Sequence, residues 1–74
     1  MDAHINRGWL RVPFDGPSTA RLTLSVGDET HRAFYDRDES GAWAQIRVPQ
    51  GLRGRARILL HADGALISEG RVRQ

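Results

Sequence analysis

The chain has no cysteine and no lysine, few aromatic residues, and no long apolar run. Without cysteine there is no disulfide framework, no thiolate nucleophile, and no cysteine-ligated zinc or iron–sulfur site. Without a long apolar run no segment reads as a membrane-spanning helix. Residues 1–7 also lack the basic stretch followed by an apolar run that marks a secretory signal. The simplest expectation is a complete small reading frame made in the cytoplasm, compatible with later release in a particle such as a virion. All eleven basic residues are arginine. Blandly read, that bias is the mark of a GC-rich genome. Physically, each arginine keeps its charge and offers a planar fork to carboxylate or phosphate. The net charge of +2 is too small to establish a nucleic-acid partner.

What is present is alternation. With 74 residues the chain makes one domain (1–74), and a core of that size must draw on most of its apolar side chains. Oligomerisation or docking on a partner is then an attractive further source of stability. Short runs with period two, separated by turn signals, predict an all-β domain. The first strand is expected over residues 4–14, with Pro13 near its end. The second places Ala20, Leu22, Leu24 and Val26 on one face against Arg21, Thr23 and Ser25 on the other. A third, over residues 30–35, leaves Ala33 and Tyr35 competing with Phe34 for the interior, so its register stays open. A fourth carries Trp43 and ends at Pro49. A fifth sets Ala56, Ile58, Leu60 and Ala62 against Arg55, Arg57, Leu59 and His61. Asp63 and Gly64 suit a two-residue hairpin turn that leads into a last strand over residues 65–72, followed by a short polar end. Short strands with close turns fit a two-sheet sandwich or a compact barrel, and the expectation adopted is a small antiparallel sandwich of six to seven strands.

The series Asp36, Gly41, Trp43, then Val48 and Pro49, Leu52 and Gly54, and His61, Ala62, Asp63 and Gly64 resembles bacterial and phage immunoglobulin-like repeats. In such domains an Asp, Gly and Trp cluster precedes a strand, a Leu and Gly corner follows, and an Asp-Gly hairpin leads to the final strand. The resemblance covers the C-terminal half. It departs from the pattern at Arg55, where an aromatic usually follows the corner glycine, and in its short length. It implies an immunoglobulin-like sandwich acting as an adhesive or architectural module, and it carries over no catalytic residue.

Several sites are suggested by residue type. Residues 36–41 open like an EF-hand calcium loop, with oxygen ligands at the alternate positions Asp36, Asp38 and Ser40 and Gly41 at the sharp turn. Arg47 stands where the bidentate glutamate belongs, though, and flanking helices are lacking, so a solvated acidic hairpin is the alternative. His4, His31 and His61 show no metal-ligand spacing, and no metal or other cofactor is expected. Ser25, His61 and Asp63 make a triad only on paper, because no nucleophile elbow supports it, and the chain is expected not to be an enzyme.

The tryptophans are the sharper clue. In alternating strands Trp9 lies on the side of Arg7 and Arg11, and Trp43 on the side of Gln45 and Arg47. A bulge or a curved edge could instead turn either ring inward. Outward tryptophan beside arginine suits a protein interface, since both types are enriched at binding hot spots. The expected function is therefore noncatalytic docking on other protein chains, with a phage capsid decoration or accessory protein as the best-fitting setting and self-association as a further option. Trp9 and Trp43 would anchor the contact, and Arg7, Arg11 and Arg47 would pair with partner carboxylates. On that view Trp43→Ala weakens assembly more than it unfolds the domain. One alternative is a small nucleic-acid-binding β-barrel that uses Arg53, Arg55 and Arg57. Another is a small inhibitor of a host enzyme.

Overall fold

The structure, a computed structural model, describes residues 1–72. The short polar end expected after Val72 lies outside them. Seven strands form: β1 (Asp2–Asn6), β2 (Trp9–Pro13), β3 (Leu22–Val26), β4 (Glu29–Asp38), β5 (Gly41–Arg47), β6 (Arg57–Ala62) and β7 (Ala65–Val72). They close into a barrel in the order β1-β2-β5-β4-β3-β6-β7. The immunoglobulin-like sandwich expected from the sequence is thus corrected. No helix among the described residues is long and apolar enough to cross a membrane.

Two features make a barrel of what would otherwise be two stacked sheets. β4 is ten residues long and serves both walls. Its first half pairs with β3, from Glu29 opposite Val26 to Ala33 opposite Leu22. Its second half pairs with β5, from Phe34 opposite Gln45 to Asp38 opposite Gly41. On the far side β1 pairs antiparallel with β2 and parallel with β7, where Asp2 meets Arg71 and Ala3 meets Val72. The α-amino group of Met1 donates to the Glu69 carbonyl at 3.1 Å. Gly70 permits this approach, because a Cβ there would collide with the Met1 carbonyl. Closure satisfies backbone groups that a sandwich would leave at its edges.

The expected first strand is in fact a hairpin. Arg7 and Gly8, at φ 52° and 86°, turn the chain between β1 and β2, and Asn6 faces Trp9. Positive φ at both central residues is the geometry of a two-residue hairpin. Asp63 and Gly64 repeat it at 51° and 84°, as expected, between β6 and β7. The open register of the third strand resolves with Ala33 buried and Phe34 on the outer surface, 54 % exposed. Tyr35 is half-buried at the rim of the core, with its ring edge-on to Phe14 at 6.3 Å between centroids.

The interior follows the alternation. Leu10, Val12, Leu24, Ile58, Leu60 and Val72 are its largest fully buried side chains. Each contributes roughly 1.5–3 kcal/mol by leaving water. β3 and β6 supply facing pairs, such as Leu24 opposite Leu60. With its interior filled by side chains, the barrel displays its remaining chemistry on its outer wall and in its connections.

Candidate functional site

Both tryptophans lie on the outer wall formed by β1, β2, β5 and β4, and no bulge turns either ring inward. The register lays this wall out in rows. Asn6, Trp9 and Arg47 stand side by side across three strands, and the next row is His4, Arg11, Gln45 and Phe34 across all four. In a third row Pro13, Trp43 and Asp36 are neighbours. Period-two alternation sends Leu10, Val12, Ala44 and Ile46 into the core from the same strands.

The two rings have different surroundings. Trp9 is half-buried, and the Arg47 guanidinium carbon lies 4.1 Å from its ring centroid. Arg47 itself is exposed, as is Arg7 in the adjoining turn. This is a cation–π pair on an open surface. Beside it an open hollow of about 230 Å³ reaches from Arg7 and Trp9 to Gln45 and Asp38.

Trp43 belongs to a closed network. The guanidinium carbon of Arg11 sits 4.4 Å from the Trp43 ring centroid, and the His4 ring meets Trp43 edge-on at 6.0 Å. The indole Nε1 donates to Asp38 Oδ1 and to Ser40 Oγ, both at 3.2 Å. Arg11 Nε donates to Gln45 Oε1 at 3.1 Å, and its Nη2 donates to Asp36 Oδ2 at 3.1 Å and Asp38 Oδ2 at 2.8 Å. Arg11 is only 7 % exposed. The carboxylates it was expected to seek on a partner are those of its own chain. Arg11 and Trp43 therefore brace the wall, while Trp9, Arg47, Arg7 and Phe34 remain presented to the outside.

The acidic loop is a tight turn inside this network. Asp38 Oδ1 accepts from the Ser40 amide at 2.9 Å and from the Ser40 hydroxyl at 2.6 Å. The Ser40 hydroxyl, then Arg11, and after them the Ser40 amide and the Trp43 indole hold the Asp38 carboxyl well below the usual carboxylate range. A carboxyl depressed in the folded state contributes stability that is present above its unfolded pKa and lost as pH falls toward the folded value. Acidification below about pH 4 should lower the melting temperature of the parent more steeply than that of Asp38→Asn. Parallel melting curves for the two proteins would remove Asp38 from the acid response.

The calcium-like reading of residues 36–41 meets a carboxylate already engaged by Ser40, Trp43 and Arg11. Among the described residues no group of three or more His, Asp or Glu side chains could hold a metal ion. The three histidines stay apart: His4 lies on Trp43, His31 Nε2 is 3.1 Å from Glu29 Oε1, and His61 faces Thr23. The paper triad is not assembled. Ser25 Oγ pairs with Thr30 Oγ1 at 3.2 Å, and Asp63 Oδ1 accepts from the Arg21 amide at 2.9 Å.

Arg53, Arg55 and Arg57 come together with Arg71, which the sequence reading did not include, around a groove at the β6 entrance. Arg57 is held by Glu69, with Nε and Nη2 each 2.6 Å from Oε2. Phe34 was also missed as a surface residue, because Ala33 and Tyr35 gave equal claims to either face. Comparison with known proteins returns no match. No family model, no curated protein and no solved structure aligns with the chain.

Proposed function

We propose that the chain is a noncatalytic interaction module that docks on another protein chain through the outer wall of β1, β2, β5 and β4. The observation that carries this reading is the composition of that wall. Trp9 under Arg47 and the 54 %-exposed Phe34 stand on one rigid face, two strands apart at their row positions. Aromatic residues and arginine are the types most enriched where interfaces gain their energy, and a braced sheet presents them at little ordering cost. The network around Arg11 supplies that bracing. A small accessory component of a larger assembly, such as a phage virion, is the setting that best suits a compact, cysteine-free module of this kind. No residue is assigned to catalysis.

A photo-crosslinker placed at the exposed Asn6, beside Trp9, tests the reading in the native assembly. One defined protein should be captured, and Phe34→Asp should abolish capture while leaving the melt unchanged. Phe34 meets solvent, so its replacement leaves the core intact. Capture that persists in Phe34→Asp would move the contact to another wall.

A further inference from the structure

The groove at the β6 entrance is lined by none of the docking residues Arg7, Trp9, Phe34 and Arg47. It has a volume of about 590 Å³, within the range of small-molecule sites, and Arg53, Arg55, Arg57 and Arg71 line it over a partly apolar floor of Val26 and Leu52. Three features set it apart from an ordinary solvated surface. First, Arg57 and Arg71 are direct cross-strand partners in the β6–β7 ladder. Like charges in that position repel; Glu69 pairs with Arg57, and Asp2 stands opposite Arg71 on β1. Second, Arg71 Nη1 donates to the Arg55 carbonyl at 2.9 Å, which fixes the guanidinium toward the loop and leaves its other donors. Third, Arg55 adopts φ 66°, a left-handed conformation unfavourable for a long side chain, in a loop that already contains Gly51 and Gly54. Strain of this kind persists where the surroundings impose it and is concentrated at binding sites. Among the described residues no hydrogen bond or ion pair holds the side chains of Arg53 and Arg55.

We propose that this groove binds a small phosphate-bearing ligand through the guanidinium forks of Arg53, Arg55 and Arg71. Guanidinium matches a phosphate in a bidentate manner, and an anion supplies countercharge to a groove lined by four arginines. The ligand is compact. Asp28 and Glu29 line the groove as well, and Glu69 lies on Arg57, so a longer polyanion leaving the arginines would meet carboxylates. The lining contains no aromatic ring on which successive bases of a single strand could stack.

The test is titration of the intact chain at low salt with inorganic pyrophosphate and with ADP, followed by amide chemical shifts and calorimetry. Both probes should saturate and shift the amides of Leu52, Arg53, Arg55 and Arg71, while those of Arg21 and Arg32 stay in place. Arg53→Ala and Arg55→Gly should each weaken binding about tenfold or more. Arg55→Gly should also melt at or above the parent temperature, since glycine accepts this φ without strain. That opposite movement separates a lost ligand contact from a damaged fold. Shifts spread evenly over every arginine, or unchanged affinity in both variants, would overturn the proposal. So would a thymidine oligonucleotide that binds more tightly than ADP, in favour of a nucleic-acid strand.

Discussion

Arg11→Ala is expected to lower the melting temperature by roughly 10–20 °C, more than any other single charge removal on this surface. The side chain is 9 % exposed and donates to Gln45, Asp36 and Asp38 while covering the face of Trp43. Truncation removes three charge-assisted hydrogen bonds and leaves two carboxylates without their shared cation. It also uncovers an aromatic ring that the arginine stem had shielded. Because Asp36 and Asp38 are themselves 46 % and 40 % exposed, water recovers part of the loss. The remainder is about 2–3 kcal/mol, the lower end for breaking a buried pair. In a domain of this size each kcal/mol moves the midpoint by about 4–8 °C. Arg11→Lys should recover only part of the drop, since an ammonium cannot reproduce the planar fork over the ring. Circular-dichroism melts at neutral pH measure both, and an unchanged midpoint in Arg11→Ala would mean that the network adds no net stability.

Trp9→Ala should weaken docking by about 30- to 1,000-fold, the range of an interfacial hot spot, with a much smaller change in melting than Arg11→Ala produces. Trp9 begins β2, and its ring is covered on one side by the exposed Arg47. Its loss removes contact area without opening the barrel interior. Trp43→Ala should behave in the opposite sense, since its ring holds Arg11, His4, Asp38 and Ser40 in place. This reverses the role assigned to Trp43 from alternation alone. Co-sedimentation with the captured partner, alongside melts of both variants, distinguishes the two residues. A Trp9→Ala protein that docks normally would leave the wall without its anchor.

The difference between the two tryptophans shows where sequence ceases to inform. Period two assigned both rings to the outer side, because that depends only on their neighbours in the same strand. Which of them is free depends on β4 lying beside β5, which brings Asp36 next to Trp43. Strand order is a long-range property, and alternation is silent about it. The same limit applies to the architecture. The facing alternation of Leu22, Leu24 and Val26 with Ile58, Leu60 and Ala62 was legible as two half-buried strands, and Asp63-Gly64 was legible as a hairpin. Arg7-Gly8 was not, because arginine is an uncommon residue at a left-handed position and a continuous strand from His4 to Phe14 had equal alternation on either side of it. Nothing local in Glu29–Asp38 announces that its two halves serve different neighbours. That strand, together with the β1–β7 seam, decides between a sandwich and a barrel. The arginine groove was half legible: Arg53, Arg55 and Arg57 are close in sequence, but Arg71 arrives only through the β6–β7 register.

The parallel seam between β1 and β7 also dictates timing. Ala3 and Val72 are neighbours across the ladder although nearly the whole described chain separates them, and the hairpins on either side can form from local contacts alone. Closing so large a loop is entropically costly, and folds dominated by distant pairings cross their barrier slowly. During synthesis β1 must wait for the last strand to emerge, with one edge open until then. The ring is therefore completed late, and the step that completes it sets how long the chain remains exposed to other strands.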